Sequence, residues 1–192
     1  MKLKRAREIA ERLREELSPY CERIEIAGSI RREKPEVKDI ELVCIPKQKP
    51  WAPPSAGLFG EPEKKPIALS TPIDEFCRAV EKYNGIRGNP RGLYTKRAIP
   101  LEPPCEDTGA VVIALDLFIA FPDNFGTQLA IRTGSAEFSH RILATGWVKN
   151  NLESENGFLF RQGSNVHIPV KEEKDLFRLI NIKFVEPKNR NL

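Results

Sequence analysis

No apolar run in the 192 residues approaches the ~20 needed to cross a bilayer, and the basic opening MKLKRAREIAERLREEL lacks the apolar stretch of a secretory leader. A cytoplasmic protein is therefore expected. Histidine is nearly absent: His140 and His167 lie too far apart in sequence for a metal pair. Cys21, Cys44, Cys77 and Cys105 form no Cys-x-x-Cys pair, which argues against a zinc site and a disulfide framework and leaves buried reduced thiols. There is no internal repeat and no helical seam that requires a dimer, so a monomer is expected. The net charge of +4 permits a polyanionic partner without demanding one.

Periodicity supplies the elements. Leu3, Ala6, Ile9, Ala10, Leu13 and Leu17 recur at helical spacing over 3–17, and Ser18-Pro19 ends that helix. Residues 23–27 alternate like a half-buried strand that Gly28-Ser29 breaks, and 40–45 form the next strand. The proline-rich stretch 46–72 reads as a surface excursion. Thr71 as N-cap and Pro72 at the first position open a helix over about 73–83. A hairpin follows, with arms 92–99 and 110–120, the second apolar enough to lie deep in a sheet. Helices are expected over 125–133, 136–146 and 172–180, with short strands at 157–160 and 167–170.

Three carboxylates resist a structural explanation. Asp116 sits in VVIALDLFIAF, where an ionised side chain costs several kcal/mol unless an arginine, a hydrogen-bond network or a metal ion compensates it. Asp39 and Glu41 lie two apart at a strand start and so share a face, where like charges tolerate each other if a cation stands between them. The plain alternative is a solvent-facing pair at a strand end. An all-oxygen set of this kind suits Mg²⁺ or Mn²⁺. Gly28 lets backbone approach a ligand, Ser29 offers a hydroxyl, and Arg32 can bond phosphate oxygens. A phosphate cradle beside a metal site is what phosphoryl or nucleotidyl transfer needs.

GSIRREKPEVKDIELV (28–43) resembles the signature of the nucleotidyltransferase superfamily, and more closely that of the family X DNA polymerases. Asp116 in LDLF matches the third carboxylate, RTGSAEFSHRILA (132–144) resembles the opening of that family's thumb, and 168–191 resembles its C-terminal segment. The resemblance implies an α+β fold class: a mixed or antiparallel sheet with helices on one face, then a smaller α/β unit. These would be a palm over 1–121 and a thumb over 122–192, acting on a primer-template or gapped DNA with a nucleoside triphosphate. It implies that Asp39 and Glu41 bind two metal ions and that Asp116 binds the catalytic one and helps activate the primer hydroxyl. It gives the β- and γ-phosphates to Ser29 and Arg32, near Gly28, and places Thr133, Gly134 and Ser135 near the nucleotide's sugar. Glu41 stands where the family usually has Asp, and Ile131-Arg132 where it often has aromatics, so Arg132 is expected at a phosphate or the base. The resemblance starts at the palm, hence the expectation of no lyase domain. Expected DNA contacts are Lys96, Arg97, His140 and Arg141, with Lys149, Lys183, Lys188 and Arg190 as further candidates. The alternatives are a terminal transferase, a transferase with an RNA, protein or small-molecule acceptor, and a non-catalytic nucleic-acid module.

Overall fold

The computed structural model describes residues 1–47, 74–106, 109–164 and 166–192. The excursion beyond Lys47 and the Thr71-Pro72 cap lie outside them.

The apolar stripe read from the sequence makes α1 (Leu3–Leu17), closed by a 3₁₀ turn at Ser18–Tyr20. Then come β1 (Cys21–Ile26), the single turn α2 (Gly28–Arg31), β2 (Asp39–Pro46), α3 (Asp74–Glu81), β3 (Asn84–Gly88), β4 (Tyr94–Pro100) and β5 (Val112–Ile119). The five strands form one sheet in the order β1-β2-β5-β4-β3, with β2 and β5 parallel and the other pairs antiparallel. The expected hairpin is β4–β5.

Strand alternation divides this sheet. Ile40, Leu42 and Cys44 of β2, with Leu115, Leu117 and Ile119 of β5, turn to the face covered by α1 and α3, where Leu13, Leu17, Phe76 and Val80 complete the core. Each large side chain buried there contributes about 1.5–3 kcal/mol. The opposite face takes Asp39, Glu41, Val43 and Ile45 of β2 and Asp116 and Phe118 of β5. Its apolar end packs under α4 (Phe125–Thr133) through Phe125 and Leu129, and its acidic end is left for the site.

Beyond α4 the chain runs through α5 (Ala136–Phe138), a π-helical turn over Ser139–Ala144 and α6 (Thr145–Lys149). A small antiparallel sheet follows, of β6 (Leu152–Glu155), β7 (Phe158–Arg161) and β8 (His167–Ile168). Asn156 and Gly157, with φ of 52° and 82°, make the tight turn between β6 and β7. The last helix, α7 (Glu173–Leu179), packs Leu176 and Phe177 into a second core with Phe138, Leu143, Leu152 and Leu159. Two strands were not anticipated. β3 is fully exposed and reads Asn-Gly-Ile-Arg-Gly; β6 alternates too briefly to signal itself.

Candidate active site

The acidic face is set by register. In the parallel β2–β5 ladder Glu41 stands opposite Asp116, and in the antiparallel β4–β5 ladder Asp116 stands opposite Lys96. Asp39 joins Glu41 two residues back along β2. The three predicted carboxylates therefore share one face of adjacent strands, Asp39 and Glu41 by alternation and Asp116 by the register of β5 on β2.

They differ in environment. Asp116 is only 6% exposed, and both its oxygens are engaged: Tyr94 Oη donates to Oδ1 at 2.5 Å and Lys96 Nζ to Oδ2 at 2.9 Å. Burial and the bond to Asp116 push the Tyr94 hydroxyl up to about 12. Among the described residues, no hydrogen bond or ion pair reaches the side chain of Asp39 or Glu41. Burial and the neighbouring charge of Asp39 push Glu41 up to about 7, with Arg32 and Arg132 opposing and Asp116 adding to the rise. As the side chains stand, no three acidic, cysteine or histidine groups among the described residues converge on one point. The donor chemistry nevertheless fits a divalent cation. It is all oxygen, from three carboxylates on one face, and Asp116 can join once an oxygen is released by Lys96.

The turn after β1 is built against Glu41. Gly28 has φ +61°, and a Cβ there would lie 1.7 Å from Glu41 Oε2, so only glycine admits both the backbone and the carboxylate. Next to it the Ser29 Oγ is buried with no hydrogen-bond partner. A buried hydroxyl without a protein partner beside an acidic face is free to bond a ligand or a water.

Arg31 and Arg32 tie this turn to the second half of the chain. Arg31 makes a bidentate pair with Glu173 at 2.8 and 2.6 Å and donates to Thr133 Oγ1 at 2.6 Å. Glu173 also accepts from Arg190 Nη1 at 2.5 Å. Burial alone would raise the Glu173 carboxyl, but the bonds from Arg31 and Arg190 hold it below its ordinary value. Arg32 donates to the Thr133 carbonyl at 2.6 Å and to Asn191 Oδ1 at 2.9 Å. Thr133, Gly134 and Ser135 are thus brought beside the cradle, and Ser135 caps α5 by accepting from Phe138 N at 3.0 Å. Arg32 adjoins the site with its guanidinium committed to these partners. Arg132 lies 4.0 Å above the Phe118 ring, its Nε buried and unpartnered. Burial lowers its pKa, while Glu41, Tyr94 and Asp116 oppose that shift.

The expected DNA contacts do not gather in one place. Lys96 is paired with Asp116. Arg97 requires correction: alternation turns it to the opposite face, where it is 7% exposed and donates to Thr95 Oγ1 at 3.0 Å and the Tyr83 carbonyl at 3.4 Å. Arg190 likewise is no surface cation; it is fully buried among Phe138, Phe177 and Phe184. His140 and Arg141 are exposed on the π-helical turn, Arg141 paired with Glu137 at 3.1 Å. Lys149, Lys183 and Lys188 are exposed. Sequence reasoning missed Tyr94 as a partner of Asp116, and Arg31 with Glu173 as the tie across the chain. The residues were visible; the register that pairs them was not.

Residues 128–191 match the sequence model of the DNA polymerase beta thumb. Among solved structures, the chain is similar to Leishmania infantum polymerase beta in its ternary gap complex, with TM-score 0.73 and 19% identity, over 100% of this chain and 71% of that one. The ternary P/T complex of the same protein gives TM-score 0.72 and 19% identity, over 100% and 77%. No curated protein matches by sequence. The α+β class is borne out by the mixed five-stranded sheet and this likeness. Among the described residues no helix is long and apolar enough to cross a membrane. The resemblance to the family X polymerases stands, on the thumb match and on the fold of the whole chain.

Proposed function

We propose that this family X-like chain is a DNA-directed DNA polymerase that fills gaps by nucleotidyl transfer. In this reading residues 1–121 are the palm, 122–192 the thumb, and the chain acts as a monomer. The observation that carries it is the row Glu41–Asp116, with Asp39 beside it, standing against a Gly28-Ser29 turn whose hydroxyl has no partner. The two Leishmania structures are a gap complex and a P/T complex, and the same substrate class is proposed here.

Asp39 and Glu41 would hold two divalent ions, Mg²⁺ or Mn²⁺, and Asp116 would share the one nearer the acceptor. When bound, such ions neutralise charge developing on the attacking and leaving oxygens of an in-line displacement. The chain's own groups do the rest. Ser29 Oγ donates to a phosphate oxygen of the triphosphate. Arg32, already beside Glu41 and Asp39, turns from Thr133 to the same phosphates. Thr133, Gly134 and Ser135 form the wall against which the sugar rests, held from behind by Arg31. Asp116 accepts a hydrogen bond from the acceptor hydroxyl and orients it; as the hydroxyl oxygen bonds to the α-phosphorus the proton passes to Asp116, and the bond to the β-phosphate breaks to release pyrophosphate.

Extension of a one-nucleotide gap with Mg²⁺ or Mn²⁺ tests the reading. Templated addition by the wild type, and its loss in Asp116→Asn, are expected. Indifference to the template base would favour a second reading, that of a terminal transferase or a transferase with another acceptor. Arg132 favours that reading, since it sets a cation on the reacting face. Label transferred to RNA, protein or a small molecule, and not to DNA, would establish it.

A further inference from the structure

The two donors that hold Asp116 are unequal. The Tyr94 ring stacks on Phe118 with centroids 5.2 Å apart and packs against the cluster that holds Val43 and Ile45, which holds its hydroxyl at Oδ1. Lys96 has 28% of its side chain exposed, against 8% for Asp116. Its four-carbon stem reaches in from the open side, with Arg87 of β3 opposite it in register. A lysine ammonium is a compact point charge with rotatable donors, suited to a partner it can leave.

A cation ligated by Asp116 needs one carboxylate oxygen. It cannot share Oδ2 with an ammonium 2.9 Å away, because two positive charges would then meet at one atom. A phenol is different: it can go on donating to Oδ1 while the other oxygen ligates. The row Glu41–Asp116–Lys96 therefore carries its own bonded substitute for an ion on Asp116, whereas among the described residues no cation is bonded directly to Asp39 or Glu41.

We propose that Lys96 is an exchangeable counter-ion of Asp116, seated on Oδ2 in the ion-free protein and displaced by the divalent ion. Tyr94 is the positioning residue that keeps the carboxylate plane fixed through the exchange. The inference rests on the reading of Asp116 as an ion ligand. Binding of the ion then costs the Lys96–Asp116 pair, so Asp116 is neutralised when no ion is bound, and the apparent affinity is the intrinsic affinity multiplied by the fraction of protein in which the pair is open.

The test is Mn²⁺ binding followed by electron paramagnetic resonance, at fixed ionic strength and without nucleotide or DNA. Lys96→Met is expected to bind Mn²⁺ roughly threefold to tenfold more tightly than the wild type, the size of a partly exposed ion pair's closing constant. Lys96→Arg, which keeps the charge and can hold the carboxylate bidentately, should bind Mn²⁺ no more tightly than the wild type, and Tyr94→Phe should weaken binding. In an Asp116→Asn background Lys96→Met should have no effect. Unchanged or weaker binding by Lys96→Met, with Asp116→Asn still weaker than the wild type, overturns the exchange alone. Equal tightening in the Asp116→Asn background also overturns it, since removal of any nearby positive charge would then suffice. Wild-type affinity in Asp116→Asn itself overturns both the exchange and the ion-binding reading of Asp116. The Lys96→Met comparison stands even if Tyr94→Phe does not fold.

Discussion

Replacing Glu173 by alanine removes the carboxylate on which two arginines converge. Glu173 is 5% exposed and Arg190 is fully buried, while Arg31 reaches the same carboxylate from α2. The loss leaves Arg190 as a buried charge whose remaining side-chain bond goes from Nε to the Val185 carbonyl at 2.9 Å. Breaking a buried pair from one side costs about 3–5 kcal/mol, against about 0–1 for an exposed pair. A chain of this size loses about 2–4 °C of Tm per kcal/mol. Glu173→Ala should therefore melt roughly 6–20 °C lower, taking a large part of a total stability of about 5–15 kcal/mol. Glu137→Ala, which breaks an exposed pair with Arg141, serves as the control and should stay within a degree or two, at about 0–1 kcal/mol. The sign with pH follows from the depressed Glu173 carboxyl. Its contribution is complete above the ordinary carboxylate value of 4.5 and is lost as pH falls through its lower folded value. The gap between wild type and Glu173→Gln in urea unfolding should accordingly shrink below about pH 4.5. A loss below about 1 kcal/mol in Glu173→Ala at pH 7 would refute the reasoning, because the triad would then be worth no more than a surface pair.

Ser29→Ala should leave the melting temperature nearly unchanged, since the hydroxyl has no partner to lose, yet raise the KM for the nucleotide in gap extension. Glu41 is pushed up to about 7, so the ion-free fold loses stability as pH rises from the ordinary 4.5 through that value. Glu41→Gln should then melt above the wild type at pH 8 without divalent ions, the difference vanishing toward pH 4.5. Arg97→Ala should lower stability by about 1–3 kcal/mol, by unpairing buried groups. It should leave the salt concentration that elutes the protein from DNA unchanged.

Much of the fold was legible because periodicity and burial agree. The stripe Ala6-Ile9-Ala10-Leu13-Leu17 gave α1, the apolar run around Asp116 gave β5, and the helices expected over 125–133 and 172–180 match α4 and α7 within a residue or two. β3 was not legible, since two glycines and three exposed residues carry no pattern; the β4 ladder alone makes it a strand. β6 had a signal that went unused: Asn156-Gly157 is the dipeptide that turns a hairpin, and it implies a strand before it as well as the one after. Glu173 was hidden for another reason. A glutamate in the first turn of a helix is ordinary helix chemistry, and nothing local says that Arg31, 142 residues away, will close on it.

The site shows where such reading stops. Parity alone put Asp39 and Glu41 on one face, because they share a strand. Parity also separates Lys96 from Arg97, yet it does not say which of the two meets Asp116. That depends on how β4 slides along β5, and a slip by one residue exchanges every side chain between the faces. In the observed register Tyr94 and Lys96 join the carboxylates, while Thr95 and Arg97 turn to the covered side, where they bond each other. The slipped register would bury Lys96 against α1 and α3 without a carboxylate and set Arg97 beside Asp116. Tyr94 would leave Phe118, and Asp116 would lose its fixed donor. The pairing therefore selects the register as much as the register creates the pairing, since the buried charge of Asp116 finds both donors in only one alignment.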